Sequence, residues 1–283
     1  MLSDLFKNYW STWVYGNIGT STNDASLLRG GPTMKTPGRV AANGGFSTDN
    51  RKKLGFSFYL NYNGGFEGCS ESDYLGMEIS YKPTNYLRLS LNPGYSRSFS
   101  ELQYVSLTTN NGNDRYIFAS IDRKTINTSL RVNLNLSPDL TVQYWGQPFV
   151  ASGRYYDYKY IKNPVADKYH DRFHVYSDGE LTPQDGYNQI DENLDGTIDY
   201  TFGTGDFNVK EFLSNLVLRW EYSPGSSVYL VWSQTRSGYN PTGDMDYLNN
   251  MGDLFDRKLF RDDDNYNLKN VFLVKFSYRF GLK

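Results

Sequence analysis

The stretch "DENLDGTID", residues 191–199, sets side-chain oxygens at alternating positions, with Asp191, Asn193, Asp195 and Asp199 around Gly196, while Thr197 can offer its backbone carbonyl. This is how a calcium loop opens, because a hard divalent ion takes ~6 to 8 oxygen ligands and the chain must turn sharply at a glycine. The twelfth position is Phe202, not the bidentate glutamate of an EF-hand, so water or an acid such as Asp185 or Asp206 has to complete the shell. Asp and Gly are also ordinary turn residues. The expectation is a weak calcium site at Asp191, Asn193, Asp195, Thr197 and Asp199, with a plain turn as the alternative.

Both histidines fall in "YHDRFH": His170 and His174 are four apart, a spacing that on a helix would put two metal ligands on one face. Asp171 stands where a zinc protease has its glutamate, and a loop with two incidental histidines is the preferred reading. Asp171 and His174 could form an acid/base couple in a hydrolase, but no nucleophile accompanies them and no catalytic residue is assigned. Arg29 to Pro32 ("RGGP") lacks the Lys and Ser/Thr of a phosphate loop and reads as a turn. The single cysteine, Cys69, excludes an internal disulfide framework. Ten aromatics (Tyr155, Tyr156, Tyr158, Tyr160, Tyr169, Phe173, Tyr176, Tyr187, Tyr200 and Phe202) crowd the same region; they either stack on sugar faces or, the preferred reading, pack the loop on itself.

The elements that must carry these groups are strands. No apolar run approaches the ~18 residues of a spanning helix, and mean hydropathy is -0.62, which excludes a helical membrane bundle. Half of each strand in a barrel can be polar, so a barrel is not excluded, and 17% aromatic content favours strands. In "TINTSLRVNLNLSPDLTVQYW", Ile126, Leu130, Val132, Leu134 and Leu136 alternate with Asn127, Ser129, Arg131, Asn133 and Asn135 before a Ser137-Pro138-Asp139 turn. Leu54, Phe56, Phe58, Leu60 and Tyr62 repeat the pattern, as do Leu75, Met77, Ile79 and Tyr81, and, at the end of the chain, Phe272, Val274, Phe276, Tyr278, Phe280 and Leu282. Val228, Leu230 and Trp232 share their strand with apolar Tyr229 and Val231, so its facing stays open.

Strands are expected at 8–18, 38–47, 53–63, 72–82, 86–106, 115–136, 139–152, 207–222, 227–238 and 268–282, with long loops at 19–37, 64–71, 107–114, 153–206 and 239–267. Short Pro-containing turns alternate with long polar connections, as in an antiparallel transmembrane β-barrel of about ten strands with extracellular loops, one domain over 1–283 or the C-terminal part of a larger barrel. The last strand is expected to be held on both sides by closure. A soluble sandwich with reversed facing is the alternative. The net charge of -2 and the lack of a basic cluster argue against nucleic acid. The start shows no secretory signal, so for an exported chain either the numbering begins after removed sequence or this is the C-terminal piece of a longer precursor.

The blocks "SLLRGGPTMKTPG", "STDNRKKLG", "SLRVNLNLSPDLTVQYWGQPFVASGRY", "DFNVKEFLSNLVLRWEYSPGSSVYLVWSQ" and "NVFLVKFSYRFGL" resemble a family of Gram-negative outer-membrane proteins. Its members carry a family-nine-like carbohydrate-binding domain ahead of a C-terminal barrel of unassigned function, and the resemblance covers the barrel part. It implies the cell outer membrane, with the lipid bilayer, the outer-membrane assembly machinery and a polysaccharide as partners. The function expected is carbohydrate binding or uptake, with a barrel-embedded hydrolase or a passive anchor as alternatives.

Overall fold

Alternation with period two demands strands with one apolar and one polar face, and the computed structural model, which describes residues 2–280, is built from them. The chain runs through β1 (Leu2–Leu5), β2 (Ser11–Gly19), β3 (Thr22–Asp24), β4 (Met34–Thr36), β5 (Arg39–Ser47), β6 (Leu54–Gly65) and β7 (Ser70–Thr84). The three longest strands follow: β8 (Leu87–Asn110), β9 (Asn113–Asn135) and β10 (Leu140–Ile161). Four short ones come next, β11 (Phe173–Val175), β12 (Leu181–Gln184), β13 (Tyr187–Ile190) and β14 (Tyr200–Gly203). The chain then forms β15 (Phe207–Ser223), β16 (Ser226–Asn240), the helices α1 (Tyr247–Asp253) and α2 (Leu259–Asp262), and β17 (Tyr266–Ser277).

The fold is all-β and antiparallel. One sheet runs β1-β2-β5-β6-β7-β8-β9-β10-β15-β16-β17, with β11 added on β10, and every one of the ten expected strands lies on this path. No helix among the described residues is long and apolar enough to cross a membrane.

Register shows why the alternation is coherent. Leu87, Leu134, Val142, Leu218, Leu230 and Val274 face one another in turn across β8, β9, β10, β15, β16 and β17. Val228, Leu230 and Trp232 are thereby fixed on the apolar side, opposite Phe276, Val274 and Phe272, which settles the open facing of that strand. On the other side Arg88 faces Asn133, which faces Gln143. A cleft of about 950 Å³ runs from the 51–53 turn to Gln143 on this polar side, so the sheet curls with its polar face inward. The apolar face stays open: Leu54 is 60% exposed, Leu60 51%, Leu230 46%, Phe272 75% and Phe276 72%. A sandwich would have buried it against a second sheet.

Several expectations are corrected. Among the described residues β17 pairs with β16 alone, so no ladder closes the sheet and the last strand is held on one side. The opposite end of the sheet is β1, only four residues long, folded back through the 6–10 turn onto β2, so it offers the 12-residue β17 little edge to pair with. Strand β17 ends at Ser277, residues 278–280 leave the ladder, and Leu282 lies outside the described residues. The loop expected at 107–114 shrinks to Asn111-Gly112, both with positive φ (48° and 77°), the backbone of a tight two-residue hairpin turn. Strand β10 overruns its expected end by nine residues, from 152 to Ile161, and the remainder of the 153–206 loop holds β11 to β14.

Candidate functional site

The inward face concentrates amides and phenols. Asn61 faces Asn43 on β5, and its Nδ2 donates to Asn43 Oδ1, while Asn63 Nδ2 donates to Asn61 Oδ1 at 2.6 Å. Tyr59 and Tyr74 lie on the same side, hydroxyl to hydroxyl at 3.2 Å, with ring centroids 5.5 Å apart. Tyr59 lies flat against the wall because its cross-strand partner is Gly76: a Cβ there would come within 2.3 Å of the Tyr59 ring. Gly94 makes the matching space, since its Cβ would meet Asn127 Oδ1 at 2.6 Å and the Tyr74 hydroxyl at 2.9 Å. Further along, Asn92 Nδ2 donates to Ser129 Oγ at 3.2 Å. Uncharged donors and acceptors beside exposed rings suit a hydroxyl-rich neutral solute. Sequence alternation marked the polar parity; it could not mark Tyr59 and Tyr74 as a pair, because that needs the β6–β7 register.

The outer end is a packed body. Ile117, Ala119, Tyr158, Tyr176, Ile190, Tyr200 and Phe202 form one buried cluster, and Leu28, Met34, Phe118, Ile161, Tyr169 and Phe173 form a second. Six of the ten loop aromatics are therefore packing groups, whereas Tyr187 and Tyr156 are exposed. Glu192 ties the loop to the hairpin: it accepts from Arg115 Nε at 3.1 Å and Nη2 at 2.9 Å, from Asn110 at 2.9 Å and from the Tyr200 hydroxyl at 3.0 Å. Burial raises the Glu192 carboxyl, but these bonds outweigh it and hold the pKa below its ordinary value. Lys159 is buried, with Nζ 3.2 Å from Ser120 Oγ and 3.7 Å from Glu101. Burial pushes its pKa down, with Glu101 opposing. Ser120 beside a lysine has the chemistry of an activated nucleophile. At 2% exposed, however, Ser120 cannot meet a substrate.

The expected site residues fall as follows. In the 191–199 turn the carboxylates cap backbone: Asp191 accepts from the N–H of Asp195 (3.1 Å) and of Gly196 (2.7 Å), Asp195 from that of Thr197 (2.8 Å), and Asp199 from that of Glu192 (2.8 Å). Asn193 accepts from the Asp195 N–H at 3.0 Å. Among the described residues no three His, Cys, Asp or Glu side chains gather as a metal site. His170 lies in a 3-10 turn and His174 on β11, so the two do not share a helix face. The partner of His174 is Glu180, at 2.8 Å, not Asp171, which removes the proposed couple. Glu180 in turn accepts from the Ser177 N–H and hydroxyl, both at 2.8 Å, the arrangement of a closed turn. Arg29 to Gly31 are a turn, with the Arg29 guanidinium 4.3 Å from the Tyr104 ring centre.

The chain belongs to a domain family of unknown function (DUF5916), whose model matches residues 3–278. No curated protein matches it. Among solved structures it is similar to a copper transporter, OprC, with a TM-score of 0.46 and 8% identity over 94% of this chain and 37% of that one. It is also similar to the siderophore receptor PiuA from Acinetobacter baumannii, with a TM-score of 0.44 and 10% identity over 97% of this chain and 43% of that one. The chain thus spans less than half the length of either.

Proposed function

We propose that the chain forms barrel wall in the outer membrane and handles carbohydrate at the cell surface, by binding or uptake, along its inward amide and tyrosine face. The observation that carries this reading is the facing of the sheet: apolar side chains are exposed on the outer side over β6 to β9 and β15 to β17, and polar ones line the cleft. An apolar surface of that extent in water would drive association, whereas hydrocarbon satisfies it. The lipid bilayer is accordingly the first partner. The apolar run Phe272, Val274, Phe276, exposed on the edge strand, supports recognition of β17 by the outer-membrane assembly machinery.

For the ligand, amides and phenols support polysaccharide over a charged solute at this strip. The hydrolase alternative loses its named couple, since His174 is engaged by Glu180. The test is product analysis with neutral oligosaccharides on the protein in nanodiscs. Saturable retention of unchanged glycan, lost in Tyr59→Ala with Tyr74→Ala, is the expected result. Shortened glycan would replace binding with hydrolysis, and no retention would remove the carbohydrate assignment while leaving the membrane one to its own test.

A further inference from the structure

The turn end of the inward face carries a second chemistry. Lys52 and Lys53 sit in the β5–β6 turn, Lys82 near the end of β7, Arg88 near the start of β8 and Arg131 near the end of β9. Lys52, Lys53, Lys82 and Arg88 line the cleft of about 950 Å³, and an adjoining recess of about 290 Å³ shares Lys82 and Arg88 and adds Arg131 with the one acid, Glu78. Arg51 also lines the cleft, but its charge is met by Asp49, whose two oxygens it bonds at 2.9 Å, and its guanidinium lies 3.6 Å over the Tyr9 ring. Lys82 spends one hydrogen bond on the Asn50 carbonyl. Lys52, Lys53, Arg88 and Arg131 have no hydrogen bond or ion pair with any described side chain.

We propose that this cleft binds a multiply charged oxyanion, a small ligand bearing clustered phosphate or carboxylate groups. Five cations against one carboxylate repel one another in a concave wall that focuses their field, and an anion removes the repulsion. Asn133, Asn135 and Gln143 floor the cleft and add neutral N–H donors, while the planar forks of Arg88 and Arg131 match oxyanion geometry. Multiple charge is required because the cations stand on separate strands: from β6 to β9 is three strand spacings, ~14 Å at ~4.8 Å each. The volume suits a small molecule, not a duplex. The ligand is soluble, since the cleft opens on the polar side while the apolar side faces the opposite way.

The site does not use Tyr59 or Tyr74, so it stands or falls apart from the carbohydrate strip. The experiment is calorimetric titration of the full chain, in zwitterionic nanodiscs, with inorganic triphosphate at low and physiological salt. Saturable binding that weakens as salt rises is expected. Arg88→Gln with Arg131→Gln should weaken it at least tenfold, and Lys52→Gln with Lys53→Gln, which touches only a turn, several-fold. Lys168→Gln, which removes an exposed cation of the outer loop, should leave it unchanged. Heat-dependent gel mobility reports whether each variant is folded. Equal affinity in all folded variants would overturn the site in favour of diffuse charge. Loss of triphosphate binding when the discs carry anionic lipid would reassign the cleft to a headgroup and equally overturn the proposal.

Discussion

An arginine scan along β9 tests the facing of the sheet through depth as well as side. Leu130 pairs with Leu91 and Gly146 on the apolar face; Leu134, four residues on, pairs with Leu87 and Val142. Four residues span ~13 Å at ~3.3 Å each, or ~10 Å of depth for a strand tilted by ~40°. The apolar band of an outer-membrane barrel is ~25 Å tall, so Leu130 lies near its middle and Leu134, beside the 136–139 turn, near its edge. Leu130→Arg is expected to cost ~2 to 4 kcal/mol and Leu134→Arg ~0 to 1. Ser129→Arg, which faces Asn92 on the inward side, should cost no more than the ~0.5 to 1.5 kcal/mol of its bond with Asn92. The assay is equilibrium unfolding from lipid vesicles in guanidinium, followed by tryptophan fluorescence. At 1.4 kcal/mol per decade the Leu130 variant should shift the folding equilibrium by roughly 30- to 700-fold. A Ser129→Arg cost equal to that of Leu130→Arg would refute the facing, and a Leu134→Arg cost exceeding it would refute the depth.

On the inward strip, Tyr59→Ala removes a ring contact with Tyr74 and should weaken neutral-oligosaccharide binding roughly two- to tenfold, the scale of ~0.5 to 1.5 kcal/mol for an aromatic pair, read by titration calorimetry. Calcium at Asp191, Asn193, Asp195, Thr197 and Asp199 is expected to bind only at ~10⁻⁴ to 10⁻³ M, and the check is protection of the loop from limited proteolysis by calcium and not by chelator, lost in Asp195→Ala. Identical cleavage throughout would leave that turn held by its backbone bonds alone. The Glu192 network predicts acid sensitivity: its folded pKa is depressed below the ordinary 4.5, so its contribution is complete above that value and is lost as pH falls through the folded one. The protection factors of residues 173–203, which take out the intrinsic pH trend of exchange, should hold from neutral pH down to 4.5 and fall at more acid pH, and Glu192→Gln should abolish that acid step.

The wall was legible because alternation over nine or more residues is a strong signal, and all ten expected strands lie in the sheet, although the facing of the 227–238 strand needed its register with β17. Strands β11 to β14 leave no signal in the sequence because three or four residues cannot display a period. The β8–β9 turn differs from expectation for another reason: Asn111-Gly112 is a hairpin signal, but the polar residues around it, from Thr108 to Asp114, mask the strands that continue up to it. The cation cleft was invisible in sequence because Lys53, Lys82, Arg88 and Arg131 lie up to 78 residues apart, from 53 to 131, and only the β6-β7-β8-β9 order brings them together. The histidine spacing misled, since a four-residue interval has metal-site meaning only on a helix and His174 sits on a strand.

Strand β9 carries both solvents' requirements along its length, and the point of change is marked by charge. Ile117 and Phe118 at its start have no exposure at all, enclosed by the outer loops, while Leu130 further down is 38% exposed. Between them Lys124 faces Arg97, and Arg97 bonds Asp122 at 3.3 Å, all three on the parity that carries Ile126, Leu130 and Val132. Below this belt the same parity reads Tyr95 to Leu87 on β8 and Ile126 to Leu134 on β9, eight residue steps each. Eight steps are ~26 Å of strand and, at a tilt of ~40°, ~20 Å of depth, close to the ~25 Å apolar band of an outer-membrane barrel. The ion pair at that height, with the buried aromatics all beyond it, supports the proposed bilayer placement. The outer body folds by burying its own apolar groups; the wall below the Arg97–Asp122 belt leaves them exposed, the surface that the proposed bilayer placement would cover.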